Sequence, residues 1–323
     1  MSKGRLLSGM QPTGLLHLGN LEGALANWVK LQDEYEAFYF VADWHALTTM
    51  YDKTDLVKDY RREVATDFLA AGLDPNKCAI FVQSDIMEHA ELHLLFSMVT
   101  PVSWLERVPT YKEKQEQLHL ETVSYGLMGY PVLQAADILI YKASVVPVGQ
   151  DQLPHLELSR EIGRRFNWLY GEIFPDCKAM LTEYAAMPGL DGRKMSKSYN
   201  NAIYIADTAE ETVAKVRTMF TDPLKIRKHD PGHPEGCAVY AMMDVYGQAD
   251  MHDDCTAGCI GCVECKMRLT KFLNDRLAPI RERRAELEQH PEHLTEILAA
   301  GAEKARKVAR ETLGEVRKVM NFG

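Results

Sequence analysis

The first half of the chain alternates short apolar segments with helical patterns, and this alternation constrains the fold more than any other feature. The segments with the length and composition of buried strands are "GRLLSG", "AFYFVADWH", "CAIFVQS" and "SVVPVGQ". Between them lie helical patterns such as segment 54–72, with Thr54 as a candidate N-cap and Gly72 as a candidate C-terminal stop. Apolar strands that alternate with helices predict an α/β fold built on an open parallel sheet.

The second part of the chain, after about residue 205, shows helical patterns and few strand patterns. Stretches 209–220 and 266–289 predict helices, and apolar residues recur every three or four positions in the last segment. We therefore predict three parts: an α/β domain (1–195), a helical domain (196–293) and a C-terminal helix (294–323) that packs back on the first domain.

Composition and charge exclude some functional classes. The chain has 46% hydrophobic and 26% charged residues, as in ordinary globular proteins. Its formal net charge of −9 excludes a basic field over the whole molecule, so an RNA partner requires local basic patches. Stretches 224–229 and 281–284 are candidates, although a solvated helix face explains them equally well. No signal peptide and no run of about 18 apolar residues is visible, so we expect a cytoplasmic protein without a membrane partner.

The segment "QPTGLLHLGN", Gln11 to Asn20, follows the first predicted strand and opens a helix. Open α/β folds bind ligands at this kind of junction. His17 and Asn20 offer hydrogen-bond donors there, and Gly19 allows a nucleotide to approach the backbone closely. A loop with a histidine cap is the alternative interpretation.

The segment "GRKMSKSYNN", Gly192 to Asn201, places Lys194 and Lys197 around small hydroxyl residues. Two lysines that close on a polyphosphate stabilise the charge that develops on a leaving pyrophosphate. A solvated basic loop is the alternative for this segment alone, but the combination with the upstream segment is much more specific.

Together the two segments resemble the HIGH and KMSKS signatures of class I aminoacyl-tRNA synthetases. With "YPVLQAADILIY", "VPVGQDQLPHLELSREIGRRFN" and "GAEKARKVARETL", nearly the whole chain is similar to the bacterial tryptophanyl-tRNA synthetases. The resemblance implies a Rossmann-like catalytic domain (1–195) and an anticodon-binding helical domain (196–293). It also implies activation of L-tryptophan by Mg-ATP, transfer of tryptophan to tRNA(Trp), and a homodimer.

The resemblance further implies roles for individual residues. ATP would be bound by Gln11, Pro12, Thr13, Gly19, Asn20, Gly149, Gln150, Asp151, Ala186, Lys194, Met195, Ser196, Lys197 and Ser198. Tryptophan would be bound by Leu7, His45, Tyr130, Gln134, Asp137, Val146 and Val148. His17, Asn20, Lys194 and Lys197 would be catalytic, and Mg²⁺ would accompany ATP.

Asp137, which would accept the indole N–H, lies in the apolar stretch "QAADIL". A lone buried carboxylate is costly unless it is paired. An indole N–H donates and cannot accept, which suits an ionised carboxylate. On this view phenylalanine would leave Asp137 unpaired, at a cost of roughly 1–3 kcal/mol. A helix cap or a surface salt bridge is the alternative for Asp137, and a satisfied core histidine is the alternative for His45.

Four cysteines, Cys255, Cys259, Cys262 and Cys265, lie within eleven residues, and Cys237 stands upstream. Structural zinc sites often use two separated CxxC pairs, whereas both pairs here share Cys262. The spacing C-x2-C-x2-C is closer to that of a four-iron cluster, which needs a distant fourth ligand.

A branch of the tryptophanyl enzymes carries a [4Fe–4S] cluster on one upstream cysteine and a downstream C-x6-C-x2-C. By this resemblance Cys237, Cys255, Cys262 and Cys265 would be the ligands, with Cys259 as an alternative ligand. Zinc and inert thiols remain alternatives. We expect the cluster to support the fold, since a metal that closes a long loop stabilises it.

Other functions are compatible with parts of the pattern. A tyrosyl-tRNA synthetase shares the fold and both signatures. A metal-cluster protein that binds nucleic acid or senses redox state, built on an inactive synthetase, is an alternative of a different class. ATP-dependent pyrophosphate exchange with each amino acid distinguishes them.

Overall fold

The computed structural model describes residues 3–108, 124–181, 186–248 and 250–322, and one parallel sheet forms its centre. The strands are β1 (Arg5–Met10), β2 (Glu36–Val41), β3 (Ala79–Val82), β4 (Val145–Val148) and β5 (Lys178–Leu181). Their order is β3-β2-β1-β4-β5, which confirms the predicted α/β class. Strand β5 was not predicted, because it is largely exposed and lacks the apolar pattern of a buried strand.

Helices connect the strands and form the second part of the chain. They are α1 (Leu18–Asn20), α2 (Ala26–Leu31), α3 (Asp43–Met50), α4 (Thr54–Ala71), α5 (Glu88–Val99), α6 (Val102–Glu106), α7 (Tyr125–Ile140), α8 (Leu153–Tyr170), α9 (Ala209–Thr218), α10 (Ala238–Val245), α11 (His252–Thr256), α12 (Cys262–Gln289) and α13 (Pro291–Val319). A π-helical turn, Leu21–Leu25, joins α1 to α2. Thr54 is the first residue of α4 and not its N-cap, whereas Gly72 ends α4 with a φ of +116° as predicted.

The sheet has an apolar core on each face, because successive side chains of a strand point to opposite sides. Leu6 and Tyr39 belong to one core, which continues into the helices of the second part. Leu7 and Phe38 belong to the other core, which includes residues of α5, α7, α8 and α13.

The position of β1 determines where a ligand can enter. Strand β1 lies between β2 and β4. After β1 the chain first forms β2 and β3 on one side of it and later forms β4 and β5 on the other side. Ligands of open α/β sheets bind beyond the carboxyl ends of strands at such a switch point. The ends of β1 and β4 are therefore the expected location of the site.

The C-terminal helix α13 packs against the edge strand β3. A Cβ atom at Gly301 would lie 1.9 Å from the carbonyl oxygen of Ile80, a distance that no real side chain tolerates. Ala302, Ala305 and Ala309 are also small and buried. This run of small residues allows the helix to lie directly on the strand.

The long helix α12 joins the second part of the chain to the first. Arg276 of α12 forms a two-pronged ion pair with buried Glu22, and Arg284 contacts Glu63 and Asp67 of α4. Among the described helices none combines the length and apolar character that crossing a membrane requires.

Candidate functional site

Two neighbouring cavities open at the carboxyl ends of β1 and β4, as the topology predicts. Their volumes are about 430 and 920 Å³. Met10, Gln11, Gly23, Ala24 and Gly149 line both cavities. A ligand in one cavity can therefore touch a ligand in the other.

The smaller cavity is lined largely by apolar and aromatic side chains. All the residues predicted to bind tryptophan line it, namely Leu7, His45, Tyr130, Gln134, Asp137, Val146 and Val148. Trp28 and Phe40 also line it. An aromatic group with one polar edge suits these surroundings, since Asp137 is the carboxylate in the wall.

Asp137 is not the lone carboxylate that the sequence suggested. It lies on α7 with 1% of its surface exposed. It accepts hydrogen bonds from His45 Nε2 at 2.7 Å, His89 Nδ1 at 2.5 Å and Gln83 Nε2 at 2.9 Å. The argument that phenylalanine leaves Asp137 unpaired is therefore wrong, because the protein itself provides three donors.

These donors keep Asp137 ionised. Burial acts to raise the pKa of Asp137, but the hydrogen bonds and positive charge of His45 and His89 outweigh burial and hold that pKa below its ordinary value. His89 is in turn 2.7 Å from the Tyr141 hydroxyl through its Nε2 atom. Because the carboxylate can only accept, Nδ1 of His89 carries the proton that is donated to it.

Sequence reasoning missed the residues that surround the predicted ones. Gln83 and His89 hold Asp137, and His155 contacts the Tyr130 hydroxyl at 2.6 Å. A polar residue at the end of buried strand β3 was the only signal for Gln83. Nothing in the spacing of His89 or His155 predicts these contacts, because α5 and α8 bring the two histidines to Asp137 and Tyr130 only in the folded chain.

The larger cavity is lined by most of the residues predicted to bind ATP. They are Gln11, Thr13, Gly19, Asn20, Gly149, Gln150, Asp151, Ala186, Lys194, Met195, Ser196, Lys197 and Ser198. His17, which was predicted to be catalytic, also lines this cavity. Pro12 is buried and is not part of the lining. The two signature segments, far apart in sequence, thus face one another across this cavity.

His17 and Asn20 form the start of the helical segment. The backbone N–H of His17 donates to Asn20 Oδ1 at 3.0 Å, so Asn20 also acts as a structural cap. Burial, together with the charge of Lys197, lowers the pKa of His17 to about 4. His17 is therefore a neutral imidazole at physiological pH, and its buried Nδ1 atom has no hydrogen-bond partner among the described residues.

The loop of residues 192–201 is held by Asn201, to which the sequence analysis did not assign a role. Asn201 is buried, accepts from the backbone N–H of Ser196 at 2.9 Å and donates to Asp191 at 2.7 Å. Lys194 is exposed, whereas the Lys197 ammonium donates to the carbonyl of Gly14 at 2.9 Å. The loop is thus anchored at both ends, and its two lysines differ in environment.

Four of the five clustered cysteines surround one small cavity, namely Cys237, Cys255, Cys262 and Cys265. Cys259 is exposed and is not part of its wall. Burial raises the pKa of Cys265 to about 12 and also raises that of Cys255. Among the described residues, no three His, Cys, Asp or Glu side chains come close enough together to hold a single metal ion.

The backbone at Gly232 packs closely against one of these cysteines. A Cβ atom at Gly232 would lie 2.5 Å from the sulfur of Cys255, and the Gly232 N–H donates to the Cys255 carbonyl at 2.9 Å. The loop that carries Gly232 therefore covers Cys255.

The two basic stretches have different environments. Arg281 donates to Thr212 and Asn274, Arg283 donates to the Ala70 carbonyl, and Arg284 is buried in ion pairs, so stretch 281–284 serves the packing of α12. In stretch 224–229 the side chain of Ile226 is 85% exposed, and Arg227 and Lys228 are exposed beside it.

Comparison with known proteins gives one consistent family. Residues 2–278 match the family described as tRNA synthetases class I (W and Y). The chain is 52% identical to the tryptophan–tRNA ligase of Thermotoga maritima, over 98% of this chain and 99% of that protein. It is 47% identical to the tryptophan–tRNA ligase of Aquifex aeolicus, over 98% of this chain and all of that protein.

Comparison with a solved structure indicates the same family. The tryptophanyl-tRNA synthetase of Campylobacter jejuni, determined with ADP and tryptophan, superposes with a TM-score of 0.89 at 36% identity. The match covers 98% of this chain and 99% of that one.

Proposed function

The chain belongs to the class I tRNA synthetases for tryptophan and tyrosine and acts as a tryptophan–tRNA ligase, and from this premise we propose which residues perform each step. The enzyme joins L-tryptophan to ATP, which yields tryptophanyl-adenylate and pyrophosphate, and then transfers tryptophan to tRNA(Trp). The smaller cavity takes the amino acid, the larger one takes Mg-ATP, and their shared wall at Gln11 and Gly149 is where the two substrates meet.

In the smaller cavity we assign recognition of the indole to Asp137. A carboxylate has room for about four donors. His45, His89 and Gln83 supply three donors, and Gln83 Nε2 lies 2.9 Å from both carboxylate oxygens, so the indole N–H would replace one of the two contacts of Gln83. Leu7, Val146 and Val148 contact the rings. This single observation, an ionised carboxylate in the wall of an apolar cavity next to the nucleotide site, supports the assignment most strongly.

In the larger cavity the protein contributes positioning and charge. The tryptophan carboxylate is already ionised at neutral pH and attacks the α-phosphate without a general base. As that bond forms, the bond to pyrophosphate breaks and negative charge grows on the leaving group. Lys194 and Lys197 stabilise this charge, while His17 and Asn20 donate to the phosphates from the helix start. Mg²⁺ would accompany the nucleotide phosphates.

Pyrophosphate exchange tests this assignment. We expect exchange of labelled pyrophosphate into ATP that depends on tryptophan and falls at least a hundredfold in Lys197→Met, with Lys178→Met on the edge strand as a matched control. Equal exchange with tyrosine, or none with any amino acid, would contradict the proposal.

We also propose that Cys237, Cys255, Cys262 and Cys265 hold a [4Fe–4S] cluster. They surround one cavity, whereas Cys259 does not line it, which favours Cys237 as the fourth ligand. A zinc ion at about 2.3 Å from each sulfur needs four closely grouped thiols, but a four-iron cluster binds each thiolate at a different iron. The cluster would supply cross-links between α10, α11 and α12 and takes no part in adenylate formation.

Metal analysis of protein purified without oxygen tests the cluster. We expect a brown protein with four irons per chain, loss of iron and a lower melting temperature in Cys237→Ser and Cys262→Ser, and full iron in Cys259→Ser. A protein that contains one zinc and no iron would show that these cysteines bind zinc and not a [4Fe–4S] cluster. An unchanged melting temperature in Cys262→Ser would refute the structural role.

For tRNA we propose contact with the helical domain, residues 196–293, through Ile226, Arg227 and Lys228. These exposed side chains combine positive charge with an apolar surface, which suits phosphate and an unstacked base. Arg227→Ala with Lys228→Ala is expected to lower aminoacylation kcat/KM for tRNA at least tenfold and leave pyrophosphate exchange unchanged. Equal loss of both activities would contradict this.

Finally, we propose a cytoplasmic homodimer in which residues 1–195 form the catalytic domain and 294–323 pack on it. Leu94 and Met98 lie one turn apart on α5 with exposed side chains, Met98 at 71%, and Val102 follows them on α6. A second copy is the partner that the family resemblance predicts. Met98→Glu is expected to shift the sedimentation equilibrium from dimer to monomer, and a monomeric parent protein would refute the dimer.

A further inference from the structure

The side chain of Lys225 is buried beside the group of cysteines. It lines the same cavity as Cys237, Cys255, Cys262 and Cys265, and 7% of its surface is exposed. Lysine is rarely buried to this extent unless an opposite charge pairs with it. A negative partner for this ammonium is therefore expected in or around the cavity.

The hydrogen-bond partners of Lys225 are neutral. Its ammonium donates to the backbone carbonyl of Asp230 and, at 3.4 Å, to that of Cys255. In the described part of the chain Lys225 forms no ion pair. An ammonium has three N–H donors, so one of them has no acceptor among the described residues.

Asp222 is the carboxylate that lines the same cavity, but other groups bind it. Its oxygens accept from the backbone N–H groups of Leu224 and His233, each at 2.9 Å, and the His233 ring also lies 2.9 Å away. Asp222 is thus occupied by these donors and does not satisfy the Lys225 ammonium.

Gly232 brings Lys225 and Cys255 together. An added Cβ at Gly232 would lie 2.5 Å from the Cys255 sulfur and 3.1 Å from the Lys225 Cδ atom, so the sulfur and the lysine stem pack on the same glycine. The ammonium at the end of this stem contacts the Cys255 carbonyl. A positive charge is therefore fixed beside one of the four cysteines.

A metal centre on the four cysteines would provide the missing anion. Four thiolates outweigh the positive charge of an iron–sulfur core, so a [4Fe–4S] centre with four cysteine ligands is a net anion. Burial of an unpaired anion is costly, and so is burial of an unpaired cation. Each charge therefore lowers the cost of burying the other.

We propose that Lys225 is the charge-compensating residue of this centre: its buried ammonium stabilises the anionic cluster on Cys237, Cys255, Cys262 and Cys265. This inference rests on the proposed cluster. It assigns to Lys225 the retention of the cluster and no part in adenylate formation.

Two other cations near the cysteines have different surroundings. Lys266 and Arg268 follow the last cysteine on α12, but neither lines the cavity. Arg268 is exposed and pairs with Glu264, and Lys266 is partly exposed and donates to the Arg217 carbonyl. Solvent screens such charges, whereas it screens a buried charge such as that of Lys225 much less.

Loss of iron to a chelator tests the proposal in the holoprotein purified without oxygen. Lys225→Met keeps most of the apolar stem and removes the charge. We expect its cluster to lose iron to a ferrous chelator at least about tenfold faster than the cluster of the parent protein, because the remaining charge is left buried and unpaired. Lys225→Arg keeps the charge and should lose iron at nearly the parent rate.

The reduction potential of the cluster, measured by titration with dithionite, separates a charge effect from a packing effect. Loss of a nearby cation disfavours the addition of an electron to an anion. The potential of Lys225→Met should therefore fall, and that of Lys225→Arg should stay near the parent value. Faster iron loss at an unchanged potential would show that Lys225 only packs the loop, and the inference would be wrong.

Lys266→Met is the matched control, since it removes an ammonium that also donates to a backbone carbonyl but lies outside the cavity wall. It should match the parent protein in both measurements. Equal effects in Lys266→Met and Lys225→Met would overturn the inference. Should Lys225→Met fail to fold, Lys225→Gln keeps a hydrogen-bond donor without the charge, and the same two changes are expected.

The iron content of the parent protein separates this inference from the proposed cluster. A parent protein without iron would refute both. A parent protein with four irons per chain, together with a Lys225→Met variant that behaves like Lys266→Met, would refute the inference alone.

Discussion

Substitution of Asp137 by asparagine is the most informative test of amino-acid recognition. The indole N–H would lose a hydrogen bond to a buried, ionised acceptor, and bonds to charged groups contribute about 1.5–3 kcal/mol. At about 1.4 kcal/mol per tenfold change, kcat/KM for tryptophan is expected to fall roughly 10- to 150-fold. The fall should appear mainly in KM for tryptophan, since the phosphates bind in the other cavity.

The size of this effect depends on the three donors around Asp137. In Asp137→Asn the side chain presents an N–H₂ group on one side, while His45, His89 and Gln83 still point at it. One of these donors loses its acceptor, so a fall in melting temperature accompanies the loss of affinity. Stability and recognition have to be separated by the assay.

A tryptophan analogue in which sulfur replaces the indole N–H separates them. The parent enzyme should discriminate against this analogue by the same 10- to 150-fold factor, and Asp137→Asn should accept both substrates about equally. Pyrophosphate exchange at saturating ATP measures the four values of this cycle. If Asp137→Asn keeps the parent discrimination, the indole N–H binds elsewhere and the assignment is refuted.

Asp43→Asn is the control for stability. Asp43 is also buried, binds Arg61 and Ser84, and does not line the amino-acid cavity. The Asp43→Asn variant should have a lower melting temperature than the parent enzyme and the same discrimination between tryptophan and the analogue.

Two further predictions follow from the same structure. His17→Asn should lower pyrophosphate exchange by about tenfold, the loss of one hydrogen bond. This tenfold factor should be the same at pH 6 and pH 8, because the pKa of His17 is about 4 and its imidazole is neutral at both pH values. A larger loss of exchange at pH 6 than at pH 8 would contradict this. Gly301→Ala should destabilise the protein by about 2 kcal/mol, which corresponds to a fall of roughly 4–8 °C in Tm. The reason is that the added Cβ collides with the Ile80 carbonyl, and the cost of this clash exceeds the gain of about 1 kcal/mol in helix propensity. Gly314→Ala on the same helix meets nothing within 4 Å and should raise Tm; calorimetry that gives both variants the same sign would refute the packing argument.

The sequence alone determined the class of fold and the two signature segments that line the larger cavity. Strand and helix patterns are local, because burial on both faces makes a whole strand apolar and one buried face gives a helix its period. The segment that contains His17 and the loop that contains Lys197 are also local, since the residues that define each signature lie close together in the chain. The edge strand β5 was missed because its exposed side chains carry no such pattern.

Only the tertiary structure decided which side chains meet. Asp137 lies on α7, but its partners come from α3, from the end of β3 and from α5, positions 48 to 92 residues away in the chain. Cys237 joins three cysteines around a cavity while Cys259, which is nearer to them in sequence, points to solvent. Asp67 is bound by Arg284, which lies 217 residues further along the chain. Local patterns carry no information about such pairs, since hydrogen bonds and ion pairs depend on distance in the folded chain and not on distance along the sequence.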